Sequence, residues 1–246
     1  MKMPDEHYEN PRLAALYDFD SGWSVDRDFY LSLATNHTFP LGILDLGCGT
    51  GLLCKAYAEK GHHVTGCDPS LSMLDVAARQ PNGDLVKWMQ SFAQTFKSDD
   101  RYDLIIMTGH AFQVLLQDEE ILATFSVMRQ HLKEDGLIVF ESRNPVINWK
   151  ENWDYSMSLD LPEGKVQESR RFVEEEKDRM IFELWYQFPD EVLVSKSELR
   201  FLSHDAILNF LMISGLRVEK ILGDWNGGLF HEPSSEEMIF FVRRVS

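Results

Sequence analysis

Positive charge is scarce in this chain. Its 246 residues include 24 Lys and Arg against 40 Asp and Glu, a formal net charge of −16. A surface of that sign repels phosphate backbones and anionic lipid, so neither nucleic acid nor membrane is expected as a partner. Cysteine is scarce too. Cys48, Cys54 and Cys67 form neither C-x-x-C nor a zinc spacing, so no metal site is expected and reduced thiols in a cytoplasmic protein are the default. No apolar run approaches the ~20 residues of a membrane span. The opening stretch M-K-M-P-D-E-H-Y-E-N-P lacks the apolar core of a signal peptide. Repeats and low-complexity tracts are also missing. With 44% hydrophobic residues, the length suits one α/β domain with a sizeable core.

What the chain does have is residues 43–52, I-L-D-L-G-C-G-T-G-L. An apolar run, then glycines, then a helical segment is the order of a buried parallel strand, a tight turn and a helix start. Glycines let the backbone approach a ligand and adopt positive φ, and the first helical N–H groups face whatever the loop holds. A dinucleotide fold prefers G-x-G-x-x-G, which would put a third glycine where Leu52 stands. A P-loop needs Lys followed by Ser or Thr, and neither is present. The pattern acid-x-G-x-G-x-G resembles the first motif of class I S-adenosylmethionine-dependent methyltransferases. In that family the glycine loop passes under the methionine part of the cofactor and the acid helps hold its amino end. The resemblance implies cofactor contacts from Asp45, Gly47, Cys48, Gly49 and Gly51.

Further along, residues 62–67 read as a second strand ending at Asp68. An acid at that tip can accept hydrogen bonds from both ribose hydroxyls of a nucleoside, in a methyltransferase or a nicotinamide enzyme alike. Its bland alternative is a helix cap, a role Ser70 can fill instead. The segment D-P-S-x-x-M-L at 68–74 again resembles the methyltransferase pattern and implies Pro69 and Met73 near the adenine. Family members usually carry an acid near position 91. Ser91 departs from that, leaving adenine contact to its hydroxyl or to the Phe92 backbone. Before the first strand, the A-x-L-Y-D-like residues 14–18 resemble a segment that folds over the cofactor, with Tyr17 either there or packed as an ordinary aromatic.

Residues 102–107 form the clearest fourth strand. Ligands of open α/β sheets sit outside the strands' carboxyl ends, so Thr108, Gly109, His110 and Phe112 should border the site. His110 is a candidate general base, with plain cofactor contact as its alternative. The tip of a fifth strand over 136–141 offers Glu141 as a second proton acceptor and Arg143 as an acceptor-binding group, unless Arg143 pairs with Glu141. Trp149 and Trp153 wall a pocket or form a satellite core, and Trp225 lies in a glycine-bearing loop suited to recognition. Over 166–202 a period of two predicts an antiparallel three-stranded meander, either a cover over the acceptor pocket or a dimer surface.

The resemblance implies an α/β, Rossmann-like, seven-stranded, mostly parallel sheet with helices on both faces, to which the period of two adds the inserted meander. The whole chain, 1–246, is expected to be one domain: an N-terminal helical cap (1–40), a cofactor-binding core (41–145), inserted strands (146–202) and a C-terminal helix and strand pair (203–246). The resemblance implies transfer of the sulfonium methyl of S-adenosylmethionine to an O, N, S or C nucleophile. No N-P-P-Y-like tetrad follows the fourth strand, which with the acidic charge favours a small-molecule acceptor. A binding protein without catalysis and a nicotinamide oxidoreductase are the alternatives, and monomer or homodimer the expected state.

Overall fold

The computed structural model describes residues 3–35, 37–161 and 164–245. Short helices lead the chain: α1 Glu6–Glu9, α2 Pro11–Ala14, α3 Tyr17–Asp20 and α4 Val25–Ser32. Strands and helices then alternate: β1 Gly42–Leu46, α5 Leu52–Glu59, β2 His63–Asp68, α6 Leu71–Arg79, β3 Lys87–Gln90, β4 Tyr102–Met107, α7 Asp118–His131 and β5 Leu132–Arg143. Helical crossovers return the chain in the same direction, so β1 to β5 run parallel.

The chain then leaves the sheet for β6 Tyr155–Leu161, β7 Gly164–Glu176, β8 Arg179–Gln187 and β9 Val192–Arg200. It returns through α8 His204–Ile213, β10 Leu216–Leu222 and β11 Glu237–Arg244. The main sheet has seven strands in the order β10-β11-β5-β4-β1-β2-β3, and β11 alone is antiparallel to its neighbours. Strand order reverses between β1 and β4, which opens a crevice at their carboxyl ends.

Apolar residues fill both faces of the sheet. On one face Phe112, Phe125 and Phe140 pack with centroids 4.9–5.7 Å apart, and Phe140 stacks on Phe240 at 5.0 Å. On the other, Tyr30 and Tyr57 are buried among Leu41, Ile43 and Ile106. One local reading shifts: β5 starts ahead of the expected 136–141 and already pairs from Leu132, with a register irregularity opposite Tyr102.

The expected three-stranded meander is a separate four-stranded antiparallel sheet, β6-β7-β8-β9. The strand missed in the sequence, β6, sits at an edge with Leu159 alone fully buried, yet Tyr155, Met157, Leu159 and Leu161 alternate with Ser156, Ser158 and Asp160, a period of two that was available as a signal. The pattern in β8 was legible. Met180, Phe182, Leu184 and Tyr186 are buried, while Ile181, Glu183 and Trp185 are less so. The buried face meets Leu13 and Leu16 of the N-terminal segment, forming a third core cluster with Trp153. Arg12 lies 3.7 Å over the Phe188 ring and pairs with Asp190 and Glu191, while the His7 backbone N–H donates to Ser195 Oγ at 3.0 Å. N-terminal helices and inserted sheet thus form one roof over the crevice.

Candidate functional site

A cavity of about 640 Å³ separates the carboxyl ends of the main strands from this roof. Gly47, Gly49, Asp68, Thr108, Gly109 and His110 border it below; Tyr8, Tyr17, Tyr155, Glu168, Arg170 and Tyr186 border it above.

The glycine loop is pinned from two sides. Gly47 and Cys48 N–H both donate to the Cys67 carbonyl, at 2.7 and 3.1 Å. Asp68 then accepts from Gly49 N–H at 2.9 Å and from Ser70 N–H at 2.8 Å. Burial pushes its carboxyl up to about 6, against the opposing pull of those two N–H groups. Ser70 caps α6 by accepting from Met73 N–H, so Asp68 is not the cap. Thr50 Oγ1 and Gln80 Nε2 both donate to Asp18, which draws the N-terminal segment onto the loop. Tyr17 follows it: a Cβ on Gly49 would stand 3.9 Å from its ring.

Two features of the floor suit a ligand. Gly109 has φ +66, and a Cβ there would meet no protein atom within 4 Å, so the missing side chain leaves cavity space. Beneath the loop, Asp45 is 2% exposed, and its Oδ1 has no hydrogen-bond partner among the described residues. Its Oδ2 accepts from Cys54 Sγ at 3.4 Å, and burial raises the carboxyl to about 7.

A polar cluster closes the β4–β5 side. His110 adopts φ +61, and its N–H donates to Glu141 Oε1 at 2.7 Å. Tyr30 OH donates to Glu141 Oε2, and the whole carboxylate is 1% exposed. Burial raises Glu141 to about 7, with His110 and the Tyr30 hydroxyl opposing. The His110 ring points elsewhere: Nε2 lies 3.0 Å from both oxygens of Glu237 at the start of β11. Strand pairing sets Glu237 opposite Arg143, at the tip of β5.

On the roof, Glu168 is 1% exposed and accepts from Tyr155 OH. Burial pushes it to about 7. Arg143 Nη1 donates to Gln113 Oε1 at 3.0 Å rather than pairing with Glu141, and Arg170 Nε donates to the Trp153 carbonyl at 2.8 Å.

The candidate residues therefore divide. Bordering the cavity are Gly47, Gly49, Asp68, Pro69, Phe92, Thr108, Gly109, His110, Tyr17 and Arg143. Asp45, Cys48, Met73 and Ser91 lie behind its wall. Cys48 has its thiol raised by burial beside Cys54, Met73 is 1% exposed, and the Ser91 hydroxyl donates to the Phe92 carbonyl. Gly51 does not border the cavity: it sits at φ +69, where a Cβ would overlap the Trp88 indole. Glu141 is a buried strut with both oxygens engaged. Phe112 belongs to the aromatic core, Trp149 donates Nε1–H to the Asn144 carbonyl outside the cavity, and Trp225 packs on Phe29 and Tyr30. The reading of the sequence missed Glu237, Glu168 and Arg170. The last two stand two apart on β7, a spacing that shares one strand face and was available as a signal.

Comparison with known proteins agrees with this geometry. Residues 43–136 match the family model of a methyltransferase domain. The ubiquinone biosynthesis O-methyltransferase of Rickettsia canadensis (strain McKiel) is 30% identical over 111 residues, which are 44% of this chain and 45% of that one. The chain thus spans less than half the length of that curated relative. Among solved structures, the CcbJ methyltransferase of Streptomyces caelestis superposes with a TM-score of 0.81 at 18% identity, covering 100% of both chains. CalS10, an amino pentose methyltransferase from Micromonospora echinaspora solved with S-adenosylmethionine bound, gives 0.68 at 19% identity, covering 91% of this chain and 93% of that one. At such identities what is shared is the fold, and it is the class I methyltransferase fold.

Proposed function

We propose that this chain, whose residues 43–136 form a methyltransferase domain within a class I methyltransferase fold, methylates a small molecule with S-adenosylmethionine as donor. One observation carries the reading. The clamped glycine loop with Asp68, the acid at the second strand's tip, borders the same cavity as His110. Cofactor and acceptor sites are then continuous.

The residues present fit that cofactor. Gly47 and Gly49 present backbone to the cavity, Asp68 keeps lone pairs for ribose hydroxyls, and the unpartnered Asp45 oxygen marks an anionic spot below the loop. When bound, S-adenosylmethionine supplies an electrophilic sulfonium methyl, and its transfer to an O, N, S or C atom needs no covalent attachment to the protein.

The chain's own contribution is then position, dryness and proton removal. His110 borders the cavity and is held by a carboxylate on its ring nitrogen, the arrangement of a general base with an orienting partner. Glu237 is that positioning residue. Glu141 fixes the His110 backbone, and its sealed oxygens leave it no proton to take from an acceptor. The roof acts as a cover: the buried face of the inserted sheet looks into the cavity, which favours a lid over a dimer surface. Among the described residues no helix is long and apolar enough to cross a membrane. The three free cysteines support a reducing compartment, the cytoplasm.

Calorimetric titration with S-adenosylmethionine, S-adenosylhomocysteine and NADH tests the cofactor. Micromolar binding of the first two, followed by methyl uptake from labelled cofactor into a small-molecule acceptor pool, is the expected result. Tight binding without transfer to any acceptor would leave a cofactor-binding protein, and binding of NADH alone would return the chain to the oxidoreductases.

A further inference from the structure

Two guanidiniums border the cavity from opposite sides, Arg143 from the tip of β5 and Arg170 from β7 of the roof, and the cofactor chemistry gives neither a role. Arg143 and Arg170 both lie over the ring of Trp153, at 5.2 and 4.3 Å, and all three residues border the cavity. Among the described residues, neither guanidinium makes an ion pair with a carboxylate. Their hydrogen bonds go to neutral oxygens instead. Arg143 is oriented by Gln113 Oε1 and Arg170 by the Trp153 carbonyl, so N–H groups of both forks remain for another partner. The indole Nε1 of Trp153, itself 2% exposed, has no acceptor among the described residues.

The acids around them are committed elsewhere. Glu237 holds His110, Glu141 holds the His110 N–H, and Glu168 takes the Tyr155 hydroxyl. Asp20, Asp154 and Glu168 act on Arg170 only through space. Burial pushes Arg143 down to about 10; Glu237 and Glu141 oppose that through space, and Arg170 adds to it. Two like charges withdrawn from water beside an unsatisfied donor are costly unless an anion joins them. A guanidinium fork matches a planar or tetrahedral oxyanion, and the aromatic walls accept an apolar body beside it.

We propose that the methyl acceptor carries a carboxylate, or an equivalent oxyanion, held by Arg143 and Arg170 beside Trp153. This rests on the methyltransferase reading, and it narrows the substrate to small anionic, preferably aromatic, molecules. Arg143 follows Glu141 by two residues on β5, so the anchor and the strut that holds His110 belong to one strand end.

The probes are 4-hydroxybenzoate, 4-hydroxyphenyl phosphate and the neutral 4-hydroxybenzamide, titrated calorimetrically into the protein saturated with S-adenosylhomocysteine. At least one anion should bind about tenfold or more tighter than the amide, the range of a charge-assisted contact. Which anion wins distinguishes carboxylate from phosphate. In Arg143→Gln and Arg170→Gln that preference should shrink to within about threefold, while affinity for S-adenosylhomocysteine stays unchanged. Equal binding of anions and amide by the unaltered protein, or binding of none of them, overturns the proposal without any variant. Loss of S-adenosylhomocysteine affinity in either variant also overturns it, by assigning the arginines to the cofactor. Failure of the unaltered protein to bind S-adenosylhomocysteine would instead sink the methyltransferase reading, and the probes are then titrated alone: anion preference there keeps the anchor, and its absence removes it.

Discussion

His110 and Glu237 lie 127 positions apart, yet His110 Nε2 sits 3.0 Å from both oxygens of the Glu237 carboxylate. A histidine so held has one ring orientation, and the residue borders the cavity.

With an acceptor from the uptake screen, His110→Ala should lower kcat by about 10²–10³-fold, the range of general-base catalysis, with S-adenosylhomocysteine affinity unchanged. Glu237→Gln should cost less, because it keeps a hydrogen bond and loses only the charge. Steady-state rates that survive His110→Ala would leave alignment as the whole of the enzyme's contribution.

On the proposed function Asp68 has two duties, clamping Gly49 and holding ribose, and they separate. Asp68→Ala should weaken S-adenosylhomocysteine binding by about 1–3 kcal/mol through unpaired ribose hydroxyls and a loosened Gly49 N–H. Asp68→Asn keeps one acceptor oxygen and should fall between. Titration of both variants checks the order, and unchanged affinity in Asp68→Ala removes it from the site.

Gly109 and Gly61 both have positive φ, +66 and +88, with nothing within 4 Å of an added Cβ. Alanine at either should cost about 1 kcal/mol of stability by backbone strain. Only Gly109 borders the cavity. Gly109→Ala should therefore also lose about tenfold or more in S-adenosylhomocysteine affinity, worth about 1.4 kcal/mol, and Gly61→Ala none. Equal affinities would mean that the cavity floor at Gly109 is not in contact with ligand.

Stability of the ligand-free protein should fall as pH rises. Asp45, raised from 3.8 to about 7 by burial, keeps its proton in the folded chain where the unfolded chain has released it. That stability is complete below pH 3.8 and is lost as pH climbs through about 7. Asp68 and Glu141, at about 6 and about 7, act in the same direction. Between about pH 4 and 8, Asp45→Asn should lose about 2–4 kcal/mol less than the parent, each pKa unit being worth about 1.4 kcal/mol. Urea unfolding at both pH values measures the difference. Parallel pH profiles would show that Asp45 ionises freely in the folded state.

Local pattern settled what it could reach. The glycine spacing at 47, 49 and 51, the acid at the tip of β2 and the period of two in β8 are short-range signals, and each marks the element the structure contains. Side-chain direction at a turn is not such a signal. His110 and Phe112 stand two residues apart after β4, yet one borders the cavity and the other stacks on Phe125 in the core. The 3₁₀ turn Ala111–Val114, which His110 precedes and Phe112 lies within, sets the difference.

The sequence alone therefore determined the layered α/β architecture, the strand–loop–helix cofactor side and the presence of an inserted antiparallel unit, because strand, turn and helix periodicities are written within a few neighbouring residues. Tertiary structure decided which residues meet across the cavity. The pairing of β11 with β5 brings Glu237 to His110, and the docking of the inserted sheet under Leu13 and Leu16 brings Arg170 and Trp153 over the cavity. Those meetings depend on strand order and on apolar faces finding each other over long chain separations, and no local spacing encodes them.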